Sequence, residues 1–321
     1  MSSIEASDLV KTYPVRGHDP VRALDGFGIA VPAGSIFGLL GPNAAGKSTA
    51  VKILTGLARA DSGTARIGGV DVLHHHDKVR GMIGVVAQRS STDLMATGRE
   101  NLVLQGRLYG LRAAEARARS SSLLDHFELT EVADRLVKTY SGGTQRRLDI
   151  ALGLMHRPAV LFLDEPTTGL DPQARAAMWQ EIARLSAAEG MTILLTTHYL
   201  DEADRLADRL AIVDHGRVVA EGTPDSLKGE LRGDAVHLEL SPDVDPALAR
   251  AVLDDIPAVR EVQVAGRTLS ARSDNGAGAV PGILAALERA GAPAASVTVA
   301  RPSLDDVFLR YAGRRYSEVA A

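Results

Sequence analysis

From its start to about residue 225 the chain alternates two kinds of segment. Short, uncharged and mostly apolar runs are separated by longer stretches in which apolar residues recur every three or four positions. The short runs read as buried strands at residues 36–40, 84–87, 160–163, 192–196 and 210–213. The periodic stretches read as helices at 47–57, 112–127, 145–155, 175–189 and 201–207. Residues 218–224, Val-Val-Ala-Glu-Gly-Thr-Pro, read as a last strand and its turn. Such alternation predicts an α/β fold.

The pattern changes after about Leu231, where Gly229, Gly233, Pro242 and Pro246 punctuate a less apolar region. The remaining chain reads strand 235–240, helix 246–254, strand 259–264, strand 268–272, helix 281–290 and strand 297–300. Ala265-Gly266-Arg267 forms a hairpin turn between the two middle strands. This order, β-α-β-β-α-β, predicts a ferredoxin-like α+β unit. A terminal helix sets Leu304, Val307, Phe308 and Tyr311 on one face, and Phe308 and Tyr311 are expected to be exposed unless something covers them, a helix packing on its own domain being the plainer reading. The predicted division is therefore 1–230 for the larger domain and 231–321 for a regulatory or dimerisation domain with its terminal helix.

Composition narrows the class. A length of 321 residues suits two domains, and 45% hydrophobic with 24% charged residues excludes disordered or collagen-like chains. A net charge of −4 leaves no polybasic field to hold nucleic acid, so no nucleic-acid partner is expected. With no cysteine there is no disulfide framework, iron–sulfur cluster or thiol nucleophile. Residues 26–46 carry no charge, which meets the length of a membrane span. They include Pro32, Pro42 and six glycines, and the apolar core is only 36–40, so a buried strand is expected instead. The first residues, Met1-Ser2-Ser3-Ile4-Glu5, lack the basic-then-apolar design of a secretory signal. A chain soluble by itself is expected, any membrane role falling to another subunit.

The chemistry begins at Gly41-Pro42-Asn43-Ala44-Ala45-Gly46-Lys47-Ser48, which fits G-x-x-x-x-G-K-[ST] between a buried strand and a helix. Small residues there let successive N–H groups converge on phosphate oxygens at the positive end of the helix. Lys47 would reach the β- and γ-phosphates and the Ser48 hydroxyl would bind Mg²⁺. Far downstream, Val160-Leu161-Phe162-Leu163-Asp164-Glu165 is an apolar run ending in two carboxylates. Asp164 would enter the Mg²⁺ shell, and Glu165 would polarise an attacking water as general base. Tyr140-Ser141-Gly142-Gly143-Thr144-Gln145 opens an amphipathic helix and offers a second anion site. Gln88 and His198 each follow a strand. His74-His75-His76 reads as a solvated loop and not a metal site, because adjacent histidines share no face of a helix or strand.

In order and spacing these elements resemble the nucleotide-binding subunits of ATP-binding-cassette (ABC) transporters, over residues 5–225. Tyr13 looks like the adenine-stacking aromatic, Gly41–Ser48 like the Walker A loop and Gln88 like the Q-loop glutamine. Ser141-Gly142-Gly143 resembles the signature, Asp164 and Glu165 the Walker B pair, Gly169-Leu170-Asp171 the D-loop and His198 the switch histidine. The resemblance implies a RecA-like α/β core with an antiparallel β subdomain and a helical subdomain. It implies that Tyr13, Gly41, Pro42, Asn43, Ala44, Ala45, Gly46, Lys47, Ser48, Thr49, Ser141, Gly142, Gly143 and Asp171 bind ATP. Glu165, His198 and Gln88 would serve hydrolysis, and Ser48, Gln88 and Asp164 would hold Mg²⁺, no other metal being expected. It further implies a head-to-tail homodimer with ATP between the Walker A loop of one copy and the signature of the other. A separate transmembrane permease subunit would be driven from a surface at residues 89–135, where Thr97-Gly98-Arg99-Glu100 predicts a capping box. The chain would then sit at the cytoplasmic face of a bacterial cell membrane.

Two departures stand out: Tyr140 and Thr144 replace the usual Leu and Gln of the signature, and Ala44 replaces a usual Gly. If position 44 needs a positive φ, alanine costs about 1–2 kcal/mol there; otherwise the exchange is harmless. The ending Arg301-Pro302-Ser303-Leu304-Asp305-Asp306-Val307-Phe308-Leu309, with Arg146-Arg147-Leu148-Asp149 after the signature, is similar to daunorubicin-resistance-type subunits. Those power export of drugs or antibiotics, and some relatives move lipids. The alternative is an importer ATPase, some of which carry a ferredoxin-like domain that senses cargo. Cassette proteins acting on ribosomes or DNA fit less well, having two cassettes or long coiled-coil insertions, while this chain has one signature and no such insertion.

Overall fold

In the computed structural model the described residues are 2–313, apart from 16 and 232. The chain divides into two compact units, Met1–Gly222 and Thr223–Ala321, so the division falls ahead of residue 230.

Five strands of the first unit lie where the apolar runs predict them, in one six-stranded sheet. Its order is Arg217–Gly222, Arg209–Asp214, Ile36–Leu40, Thr192–Thr197, Val160–Asp164, Ile83–Val86. The neighbours are parallel except the first pair. Both faces of this sheet are covered, which is why its strands read as unbroken apolar runs. Leu161, Leu163, Ile193 and Leu195 pack in one cluster with Leu148, Ile150, Met178 and Ile182. Phe37, Leu39, Phe162 and Leu194 pack in another with Ala50, Ile53 and Leu54. The helix Lys47–Leu54 stops three residues short of the predicted end, where Thr55 donates its hydroxyl to the Val51 carbonyl and Gly56 turns to φ 73°.

A second, antiparallel sheet was not legible in the hydrophobic pattern. It orders His18–Pro32, Ser2–Val15, Ser62–Ile67 and Val70–Asp71. Along Ser2–Val15 the buried positions run Ile4, Ala6, Leu9, so the period of two slips by one residue. The slip is a bulge: the register shifts between Ala6 and Leu9, and Asp8 takes φ 53°. A Cβ on Gly63 of the neighbouring strand would lie 2.5 Å from the Asp8 carbonyl oxygen, so this bulge requires glycine opposite it.

Helices Gly98–Leu108 and Ala113–His126 build the helical part of the unit. The capping box forms as expected: Thr97 Oγ1 accepts from the Glu100 N–H at 3.1 Å, and Glu100 Oε2 accepts from the Thr97 N–H at 2.8 Å. No helix among the described residues is long and apolar enough to cross a membrane.

The second unit carries an antiparallel sheet ordered Arg260–Ala265, Thr268–Ser273, Asp234–Leu240, Ala294–Ala300. With helices Pro246–Asp254 and Gly276–Arg289 this is the ferredoxin-like arrangement. Val236, Leu238, Leu240, Leu269 and Ala271 face Leu253, Ile283 and Leu287 from those helices. The second helix begins five residues before Pro281, because Asn275 caps it by accepting from the Gly278 N–H.

Phe308 is covered, and by its own unit, the helix packing on its own domain. In the terminal helix Leu304–Ala312, Leu304, Val307, Phe308 and Leu309 are all buried, Phe308 completely, and the helix packs on Pro224–Gly229. Of the four residues predicted on that face, Tyr311 stays exposed, its hydroxyl donating to Glu230 Oε2 at 2.6 Å. The apolar face needs no second chain to cover it.

Candidate functional site

The Gly41–Ser48 loop joins the central strand Ile36–Leu40 to the helix Lys47–Leu54, and its glycines are fixed by contact. A Cβ on Gly41 would fall 2.4 Å from the Val213 carbonyl oxygen; one on Gly46 would fall 2.5 Å from that of Ala23. Gly46 has φ 109° as the residue before the helix. Ala44 has φ 63°, so the positive-φ condition is met and alanine is strained there. Lys47 is buried and closes the loop on itself, Nζ donating to the carbonyls of Gly41 at 2.6 Å and Pro42 at 2.9 Å. Burial pushes the Lys47 ammonium below the usual lysine range, while Glu165 and Asp164 nearby pull it up.

Residues distant in sequence converge beside this loop. Ser48 Oγ donates to Asp164 Oδ1 at 3.3 Å, and the same oxygen accepts from Thr196 Oγ1 at 2.6 Å. Glu165 stands at the strand end with φ 48°. Its Oε2 accepts from Gln88 Nε2 at 3.0 Å and from Thr168 Oγ1 at 3.2 Å, and His198 Nδ1 approaches it to 3.2 Å at an angle unsuited to a hydrogen bond. A cleft of about 380 Å³ is lined by Tyr13, Val21, Ala23, Asn43 to Thr49, Gln88 and Glu165. The structure therefore brings together Tyr13, the loop, Gln88, Asp164, Glu165 and His198.

It leaves the remaining residues elsewhere. Ser141 caps the helix Gly142–Gly153, accepting from the Thr144 N–H at 3.2 Å, and Asp171 caps Pro172–Glu189, accepting from the Ala174 N–H at 2.9 Å. These two caps adjoin one another, for a Cβ on Gly143 would meet that of Ala174 at 3.1 Å. Ser141, Gly142, Gly143 and Asp171 do not line the cleft. Tyr140 anchors its side of the group, its hydroxyl donating to the Val132 carbonyl at 2.7 Å and lying where a Cβ on Gly98 would collide.

Several side chains around the site escaped the sequence reading. Thr196 bridges the two carboxylate residues, since its hydroxyl also accepts from the Glu165 N–H at 3.0 Å. Glu202 is fully buried, and its Oε1 accepts from Thr167 Oγ1 and Trp179 Nε1. Arg146 is buried and reaches carbonyls on two loops. The signal for Arg146 was a charged residue on the buried stripe of an amphipathic helix. His74 lies exposed beside Asp71, and His76 begins a short helix, His76–Arg80.

A divalent cation suits the donors present. Ser48 Oγ and Asp164 Oδ1 are hard oxygens 3.3 Å apart at the mouth of the phosphate loop, with the Gln88 side chain on the same cleft.

The chain is similar to known proteins along nearly its whole length. The ABC transporter family matches residues 24–168, and the family described as "ATP-binding protein DrrA1-3-like, C-terminal domain" matches residues 222–312. The "Daunorubicin/doxorubicin resistance ATP-binding protein DrrA" of Streptomyces peucetius is 47% identical over 312 residues, 97% of this chain and 92% of that protein. The "Nod factor export ATP-binding protein I" of Sinorhizobium fredii is 40% identical over 98% of this chain and 88% of its own length. Among solved structures, a dimeric post-hydrolysis state of an ATP-binding cassette bound to ADP and Pi matches with TM-score 0.63 and 26% identity. It covers 68% of this chain and 98% of that one. The cassette cbiO1 of Clostridium perfringens, part of an ABC transporter complex, matches with TM-score 0.65 and 27% identity, covering 71% of this chain and 91% of that one.

Proposed function

The chain belongs to the ABC transporter ATP-binding proteins with a DrrA-like C-terminal domain, and on that premise we propose that it drives export of a drug, an antibiotic or a lipid through a separate membrane permease subunit. It is an ATP-binding subunit and an ATPase, and export is favoured over the importer alternative, since the similar full-length proteins are resistance and export proteins. Daunorubicin, doxorubicin and Nod factor, named for those relatives, indicate the breadth of cargo and not its identity here.

The observation that carries the assignment of residues is the shared cleft. The Gly41–Ser48 loop, Gln88 and Glu165 meet in it, while Ser141 to Gly143 and Asp171 stand outside. A complete phosphate cradle with its second anion-binding helix end elsewhere is what a site shared between two copies requires. In this reading Tyr13 stacks on adenine and the loop N–H groups from Asn43 through Thr49 bind phosphate, with Gly41 and Pro42 shaping the turn. Lys47 leaves the Gly41 and Pro42 carbonyls for the β- and γ-phosphates of ATP. Ser48, Asp164 and Gln88 hold Mg²⁺, which when bound neutralises charge on the phosphates. Glu165 polarises water, and His198, 3.2 Å from its Oε2, orients that carboxylate and the γ-phosphate. Ser141, Gly142, Gly143 and Asp171 serve the ATP of the second copy. The 231–321 domain regulates or supports that dimer, and the permease holds the chain at the cytoplasmic face of the cell membrane.

The test is sedimentation of Glu165→Gln with and without Mg-ATP, and with the membrane partner as a second arm. Glu165→Gln is expected to accumulate an ATP-dependent dimer that the wild type resolves by hydrolysis. A variant that still turns over ATP at the wild-type rate would remove Glu165 from its role. Failure to bind nucleotide in either arm would move suspicion to Ala44.

A further inference from the structure

One helix touches three separate parts of the proposed site. Gly142–Gly153 begins at the Ser141 cap, and its residues Gln145, Arg146 and Asp149 reach the segment after the strand Ile83–Val86. Gln145 Nε2 donates to Thr92 Oγ1 at 3.2 Å, and Asp149 Oδ1 accepts from Ser90 Oγ at 2.7 Å. Arg146 NH1 donates to the Ala87 carbonyl at 2.7 Å, immediately before Gln88. The same guanidinium turns its other edges to the acidic strand end. Nε donates to the Pro166 carbonyl at 2.8 Å, and NH2 to those of Asp164 at 3.1 Å and Glu165 at 3.4 Å.

Two physical features make this more than packing. Arg146 is only 7% exposed, and the nearest carboxylate, Asp149, stands 3.8 Å away. A buried charge held chiefly by main-chain carbonyls is costly, and such an arrangement persists where the fork geometry is needed. Glu165 itself is a non-glycine residue at φ 48°, a conformation that lasts only where its surroundings over-determine it. The guanidinium binds the carbonyls of Asp164, Glu165 and Pro166, on both sides of that strained residue.

We propose that Arg146 is a positioning residue for ATP hydrolysis: it holds the Glu165 turn and the Gln88 loop as one piece, and Asp149 with Ser90 ties that piece to the helix bearing the second anion site. The inference rests on the proposed role of Glu165 as the base that orients water. A displacement of the loop at residues 88–92 is thereby passed to that carboxylate, with no contact between Arg146 and nucleotide.

The experiment uses the full chain with its membrane partner, comparing Arg146→Lys, Arg146→Gln, Ser90→Ala and Glu165→Gln. Both Arg146 variants are expected to lower kcat by about 10- to 100-fold, the cost of misplacing a reacting group by an ångström or so, with KM for ATP and nucleotide binding little changed. Lysine keeps the charge and loses the fork, so it is expected not to rescue. Ser90→Ala leaves the fork on Glu165 intact; it is expected to keep basal hydrolysis and to lose stimulation by the partner. Should Arg146→Gln fail to fold, Arg146→Lys carries the test. Wild-type kcat in Arg146→Lys beside an inactive Glu165→Gln overturns this proposal alone. Parallel loss of ATP binding and thermal stability, without a selective fall in kcat, reduces Arg146 to a structural role and also overturns it. An active Glu165→Gln overturns the underlying role of Glu165 and the proposal with it.

Discussion

Ala44 carries its cost openly: a Cβ at φ 63° in the middle of a phosphate-binding loop. Relief of that strain is about 1–2 kcal/mol, offset by roughly 0.5–1 kcal/mol of added freedom in the unfolded chain. Ala44→Gly is therefore expected to stabilise the protein by up to about 1.5 kcal/mol, read as a higher midpoint in thermal unfolding, with ATP binding retained. A lower midpoint would mean that the alanine methyl makes a packing contribution larger than its strain. The neighbouring residues show why motif and conformation are separate kinds of information. The octapeptide names Gly41, Gly46, Lys47 and Ser48 by type, but only the backbone reveals that Gly41 lies against Val213 and Gly46 against Ala23. Thr196, with one hydroxyl serving both Asp164 and Glu165, has no motif to announce it.

At the level of elements, the helical part is pinned to the core sheet by a histidine whose protonation matters. His156 Nε2 lies 2.9 Å from the Ile83 carbonyl, an acceptor only, so that nitrogen carries the proton; the ring stacks on Tyr109 with centroids 3.7 Å apart. Burial lowers its pKa from the ordinary 6.5, with the Ile83 hydrogen bond opposing. Between the lowered folded value and about 6.5 the unfolded chain binds more protons, so stability falls as pH drops through that window. Thermal unfolding from about pH 7.5 to 5 is expected to show this loss, with a slope of at most about 1.4 kcal/mol per pH unit from one proton. His156→Gln should flatten the profile; an unchanged slope would assign the acid sensitivity to another group. Element boundaries followed the same logic of local chemistry. The Thr97–Glu100 box was legible because both partners lie within one turn, whereas the Asp8 bulge that re-phases Ser2–Val15 depends on Gly63, which belongs to a different strand far along the chain.

For the whole molecule, the distribution of apolar side chains sets the expectations. The two clusters flanking the six-stranded sheet draw only on the first unit, and that of the ferredoxin-like sheet only on the second. A chain truncated after Gly222 is thus expected to fold cooperatively and to be protected by Mg-ATP against thermal unfolding. Loss of cooperative melting in that truncation would mean that the first unit depends on the second. With Phe308 buried inside its own unit, dimer support by the second unit cannot rest on the Phe308 face; exposed Leu248, Val264 and Tyr311 and the polar surface remain for it.

The sequence alone determined the parallel sheet, the order of the C-terminal elements and the identity of the phosphate loop. Each of these rests on local periodicity or on residues packed into one short segment, where spacing translates directly into geometry. Tertiary structure decided the rest. It set the sign of φ at Ala44, put Phe308 inside, and gathered Gln88, Thr168 and His198 on one oxygen of Glu165. It also turned Arg146, in the sequence one residue of a family-like run after the signature, into the link between two loops, because a guanidinium's partners are carbonyls that no side-chain pattern encodes.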